Sequence, residues 1–104
     1  MIETTTDFIP GKKVAKILGV VRGNTIRSRG MGGHIIAGIE SAFGGQITAY
    51  MKALDEARDE AYSKMMEEAE KLNADAVINI RFATSQVMPQ AAEILVYGTA
   101  VKLG

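Results

Sequence analysis

Cysteine is absent from this sequence, which excludes disulfides, thiolate metal centres and a cysteine nucleophile, and which suits a reducing compartment. Tryptophan is absent as well, and histidine occurs once, at His34, so acid–base chemistry near neutral pH has one imidazole per chain to draw on. Net charge is zero, with twelve Lys and Arg against twelve Asp and Glu, which removes the overall electrostatic signature of a nucleic-acid or anionic-lipid binder. No apolar run approaches the roughly 20 residues needed to cross a bilayer. The opening residues Met1 to Asp7 have neither the basic start nor the apolar stretch of a secretory signal. These absences predict a cytoplasmic protein with no membrane span.

What is present is an ordinary globular balance, 47% apolar and 23% charged over 104 residues, suited to a single domain over 1–104 built on one core. Charge is unevenly spread. Residues 1–33 hold six basic and two acidic side chains, a local +4, so the remainder carries −4.

After the Pro10-Gly11 punctuation, residues 13–22 (KVAKILGVVR) have the β-branched enrichment of a strand, with Leu18 and Val20 on one side and Ile17 and Val21 on the other. Residues 24–33 (NTIRSRGMGG) read as a glycine-rich loop, and residues 34–43 (HIIAGIESAF) as a short helix stopped by Gly44 and Gly45. The longest element follows. Ile47, Tyr50, Met51, Leu54, Ala57, Ala61, Met65, Ala69 and Leu72 recur at three- and four-residue spacing, the stripe of one amphipathic helix. Its other face is charged, with Glu60 and Lys64, and Glu67 and Lys71, in the favourable i,i+4 order. Asn73 suits a left-handed cap.

Residues 76–85 alternate, with Ile78, Ile80 and Phe82 on one side and Asn79 and Arg81 on the other. A polar link over 86–91 leads to residues 93–103 (EILVYGTAVKL), the most apolar strand, expected at the centre of the sheet. The predicted fold class is α+β. It is a two-layer β-α-β-β subunit with a three-stranded antiparallel sheet of order 1-3-2, packed on one long helix plus a short helix.

Three stretches, TTTDFIPGKKVAKILGVVRGNTIRSRG, GGQITAYMKALDEARDEAYSKMMEEAEKLNADAV and VYGTAV, occur in that order and together resemble the YbjQ-like family across essentially the whole chain. The resemblance implies a dodecin-subunit-like fold, assembly as a ring of five, and a bacterial or archaeal cytoplasmic setting. Where relatives tend to show Gly in the helix-ending turn this chain has Asn73, and Gln46 stands where Arg often follows the glycine pair. The family also carries a heavy-metal-binding label. With no Cys and His34 alone, one chain cannot close a four-ligand soft-metal shell, so a metal fits only as a shared intersubunit site.

The best ligand-binding candidate is Arg27, Arg29, Gly30, Gly32, Gly33 and His34, where two guanidinium groups and glycine-exposed amides precede a predicted helix and suit a small anion. The segment lacks the lysine and hydroxyl of a P-loop and any GxGxxG pattern, so a glycine-rich turn or a subunit contact is the plainer reading. The carboxylates Asp55, Glu56, Asp59 and Glu60 read as a solvated helix face rather than a hard-cation site. Met51, Met65 and Met66 read as adaptable packing residues rather than copper ligands, and Tyr50 and Tyr97 as packed rings with a polar tip. The functional expectation is a homo-oligomeric binding or scaffold protein whose partner is itself, with a small anion or a metal at subunit interfaces. An enzyme with an intersubunit site built from Arg27, Arg29, His34 and Glu40 is the alternative. No catalytic residue or cofactor is identifiable, and nucleic acid is disfavoured.

Overall fold

Strand and helix follow from side-chain shape and spacing in the computed structural model, which describes residues 1–28, 45–88 and 91–104. The elements are β1 (Ile2–Glu3), β2 (Val14–Ser28), α1 (Gly45–Lys71), β3 (Ala76–Met88) and β4 (Ala91–Leu103). The sheet order is β1-β3-β4-β2, with β4 antiparallel to both long neighbours and β1 parallel to β3. The three long strands therefore stand in the expected order, the most apolar one in the middle. Four strands, not three, make a mixed sheet. The missed strand belongs to the polar start, where the amides of Ile2 and Thr4 donate to the carbonyls of Asp75 and Val77 at 3.2 and 3.0 Å. Main-chain bonds make the sheet pairing itself, and the threonine-rich segment carries no apolar alternation to announce it.

Two further boundaries differ. β2 runs through residues 24–28, read above as loop, because Gly23 does not end it but holds register with Val96 while α1 passes over it. α1 begins at Gly45, two residues before the start expected at Ile47. The remainder of the expected loop and the short helix expected at 34–43 lie outside the described residues.

α1 lies over β2 and β4. Ala57, Ala61, Met65 and Ala69, four residues apart, are fully buried against Val21, Ile94, Val96 and Ala100. Small side chains on the helix and Gly23 beneath it let the backbones approach closely: a Cβ at Gly23 would run into the Ala61 carbonyl oxygen and lie 2.6 Å from the Met65 amide nitrogen. The hydroxyl of Thr25, buried in the same seam, donates to the Ala57 carbonyl at 3.2 Å. Met51 and Leu72, both members of the expected stripe, are exposed, so among the described side chains the buried stripe is shorter than the periodic one. The stop is as expected, with Asn73 left-handed at φ 57° and the Ala74 amide donating to the Ala69 carbonyl.

β3 does not keep one apolar face. Asn79 is left-handed at φ 54°, and the register with β4 slips between Ile78 and Arg81. Ile80 consequently joins the core beneath α1, while Ile78 joins Ala76 and Val101 in a second cluster closed by Ile2, Ile9 and Leu103.

Asp75 fastens the start of β3 to the end of β4. Its amide donates to the Val101 carbonyl at 2.9 Å, its carboxylate accepts the Leu103 amide at 2.9 Å, and Lys102 Nζ lies 3.6 Å away. The Leu103 amide chiefly, with Lys102 and Lys12, holds the carboxyl below its usual range against a smaller opposing effect of burial. A depressed folded-state pKa adds stability above the unfolded value of about 3.9, and that stability disappears as pH falls through the lower folded value. The gap in urea midpoint between wild type and Asp75→Asn is therefore expected in full at pH 7 and to close below about pH 4. A gap independent of pH would assign the effect to something other than this charge.

Candidate functional site

With α1 over one side of the sheet, the residues of β2 that alternate with Val21, Gly23 and Thr25 face the other way. Val20, Arg22, Asn24 and Ile26 stand in register with Thr99, Tyr97, Leu95 and Glu93 of β4, and Arg81, Ala83 and Ser85 of β3 continue the same rows. The N-terminal residues cover this side only at its Ala76–Val101 end. Large apolar side chains are consequently left in water: Ile17 is 68% exposed, Val20 74%, Ile26 57% and Tyr97 40%. Both strands do carry apolar residues on two sides, but the register shift between Ile17 and Gly19 puts Leu18 with Val21 beneath α1 and Ile17 with Val20 on the other side, which the described residues cover only at its Ala76–Val101 end. The subunit is also long for its size, 56 × 24 × 18 Å with a radius of gyration of 17.2 Å against roughly 13 Å for a compact domain of this length.

Polar side chains stand between these apolar ones, among them Arg22, Asn24, Thr99, Glu93, Arg81 and Ser85. Asn24 Nδ2 donates to Glu93 Oε2 at 3.0 Å, and Arg81 Nη1 turns to the Thr5 and Ile80 carbonyls at 2.8 and 2.9 Å. Tyr97 presents its ring here rather than packing it away, contrary to the sequence expectation.

Of the anion candidates, only Arg27 falls within the described residues. Its Nη2 donates to Glu60 Oε2 at 2.7 Å, and Glu60 also meets Lys64 at 3.5 Å. The hydrogen bond from Arg27 is the main reason the Glu60 carboxyl lies below its usual range, with Lys64 contributing and burial opposing. The guanidinium is thus engaged by α1. Arg29, Gly30, Gly32, Gly33, His34 and Glu40 lie outside the described residues.

The structure adds a constellation that spacing could not reveal. Tyr62 of α1 donates its hydroxyl to Glu3 Oε1 at 2.5 Å and stacks on Phe82, ring centroids 6.3 Å apart at 12°. Burial first, then the Glu3 carboxylate, pushes the phenol well above its ordinary value, so it stays a proton donor and a fastening for β1. Glu3 and Tyr62 are 59 positions apart, and no local signal links them.

Among the described residues of one copy a heavy-metal ion finds no fit. The described residues hold no group of three His, Cys, Asp or Glu side chains. Three helix carboxylates serve other ends: Asp55 meets Arg58 at 3.1 Å, Glu60 takes Arg27, and Glu68 accepts the Arg22 amide at 2.9 Å. Met65 is enclosed in the apolar core and Met66 packs against it.

Comparison with known proteins places these features in context. The YbjQ family model, described as "Putative heavy-metal-binding", matches residues 1–104. A UPF0145 protein of Methanosarcina acetivorans is 54% identical over 103 residues, covering 99% of this chain and 97% of that one. A UPF0145 protein of Vibrio parahaemolyticus is 48% identical over 103 residues, covering 99% and 98%. The fold is similar to that of a crystal structure from Pediococcus pentosaceus, a DUF74-family protein of unknown function, with a TM-score of 0.67 and 19% identity, covering 100% of this chain and 98% of that one.

Proposed function

We propose that this chain, which belongs to the YbjQ family, works as a homo-oligomeric binding or scaffold protein whose binding surfaces are completed by further copies of itself. One observation carries the reading: Ile17, Val20, Ile26 and Tyr97 are exposed together on the side of the sheet that α1 does not cover. At about 25 cal/mol per Å² of apolar area removed from water, covering even a few such side chains favours association by several kcal/mol before its entropic costs. The ring of five is the stoichiometry that family resemblance suggests, and a cytoplasmic setting suits it. A metal or a small anion enters this reading at surfaces formed between copies, since the described residues of one copy hold no group of three metal-ligating side chains and Arg27 is paired with Glu60.

Light scattering coupled to size exclusion at micromolar concentration is expected to give a multiple of the subunit mass. A folded single copy would remove the reading. Native mass spectrometry of the purified assembly then identifies what it retains, with metal-to-subunit ratios below one expected for a shared site.

A further inference from the structure

The two margins of this sheet are treated differently. On the β2 side, the helix reaches over the edge: Glu68 accepts the Arg22 amide at 2.9 Å and Lys64 donates to the Asn24 carbonyl at 3.0 Å. That edge is further broken by register shifts after Val14 and Ile17 and carries Lys16. Capping groups, bulges and lysine are the devices by which sheet edges refuse a new strand.

The β3 margin has two parts. Its first part is filled by the chain's own N-terminus, with Thr4 accepting the Ile80 amide at 3.1 Å and Thr6 accepting the Asn79 amide at 3.0 Å. From Ile80, whose amide points outward, alternation along a strand sends the backbone groups of Phe82, Thr84 and Gln86 to the same outer side, while Arg81 and Ala83 turn towards β4. No described residue bonds that outer row. Residues 82–88 read FATSQVM, with no charge, glycine or proline, and residues 82–87 are all exposed. No described side chain caps this stretch and it carries no lysine; its one register shift lies between Gln86 and Met88, so Phe82 to Gln86 run regularly, and the composition suits strand pairing.

We infer that residues 82–88 of β3 form a strand-addition edge occupied by an extended strand of a second copy of this chain. The inference rests on the oligomeric reading above and says where the contact lies. A second copy is the occupant because the same margin already takes an extended segment of this chain, residues 2–6, whose main chain bonds to that of residues 75–80. Continuing the sheet past β3 also sets the exposed side, with Ala83 and Ser85, beside a neighbour's sheet, extending the apolar surface where Tyr97 and Val20 are uncovered.

Two variants test it. Thr84→Pro removes one outward amide and no bond to β4, a position where an edge strand tolerates proline. Ser85→Lys with Val87→Lys installs the missing charges and leaves the backbone intact. Circular dichroism checks that each variant folds, and scattering mass at micromolar concentration is the readout. The expected result is a folded variant whose mass falls to that of one copy or of a smaller assembly than wild type. Wild-type mass in the lysine variant overturns the edge assignment while leaving oligomerisation standing. A wild type that is itself a single copy removes both.

Discussion

Gly23→Val is expected to destroy the cooperative melting transition or lower its midpoint by about 12 °C or more, the shift that a loss of about 3 kcal/mol produces in a domain of this size. Overpacking a core typically costs about 1–3 kcal/mol when neighbouring side chains can rotate away. Here the obstacles are the Ala61 carbonyl and the Met65 amide, backbone groups inside α1 that can yield only if the whole helix lifts from β2. Lifting it would uncover Ala57, Ala61, Met65 and Ala69 together, in a fold whose total stability is on the order of 5–15 kcal/mol. Gly98→Ala makes the useful contrast, because the new methyl would meet Val77 Cγ1 at 2.7 Å, the Ile78 carbonyl oxygen at 3.1 Å and Ile80 Cγ1 at 3.2 Å, so its tightest contact is with a side-chain atom rather than with the backbone of α1. Differential scanning calorimetry of the two variants decides the matter. A Gly23→Val protein that melts like wild type would mean that the helix does not rest on this strand.

Met65→Ala is expected to cost about 2–5 kcal/mol, the range for deleting a fully buried long side chain and leaving a cavity. Met51→Ala, fourteen positions earlier on the same periodic stripe, is expected to change stability by less than about 0.5 kcal/mol, because Met51 is 59% exposed. Urea unfolding of both variants measures the difference directly. Equal losses would place Met51 in a packed environment and contradict the exposure seen here.

That methionine pair shows what periodicity conveys. A stripe at three- and four-residue spacing identifies a helix and the face it turns inward, and α1 begins and ends within two residues of the expected bounds. It says nothing about how far the partner surface extends beneath the helix, so Met51 and Leu72 look identical to Met65 in sequence. The central place of β4 was legible from residues 93–103 for a related reason, since a strand with apolar residues on both sides needs a neighbour on each edge and a cover on at least one face. β1 was not legible, because Ile2 and Glu3 join the sheet through main-chain atoms that every residue possesses. Nor was the extension of β2 past Gly23, where glycine, ordinarily a sign of a turn, serves instead to admit a helix.

The candidate site was legible in part. Apolar residues on both sides of the first and last strands follow from composition and alternation, but alternation set Ile17 opposite Val20, and Tyr97 was read as packed. The register shift between Ile17 and Gly19 instead turns Ile17 and Val20 to the same uncovered side, and Tyr97 is 40% exposed. The pairing of Arg27 with Glu60 was not, since it joins a strand to a helix 33 residues later and depends on the angle at which the two layers cross. Proximity in sequence had grouped Arg27 with Arg29, whereas the fold gives Arg27 a carboxylate partner.

The left-handed step at Asn79 constrains how this gene segment can drift over generations. Exchange of the residue is comparatively mild, because Gly and Asp also enter that region of backbone space at little cost. Loss or gain of one codon between Ile78 and Arg81 is another matter. A slip of one residue would carry Phe82 off Tyr62 to the uncovered side and bring Arg81 under the helix, while Ile2 and Ile9 would lose the side chain they now enclose. Length in this stretch of β3 is therefore expected to vary less among relatives than the identity of residue 79 itself, a heritable signature of a strand that serves two cores on opposite sides of one sheet.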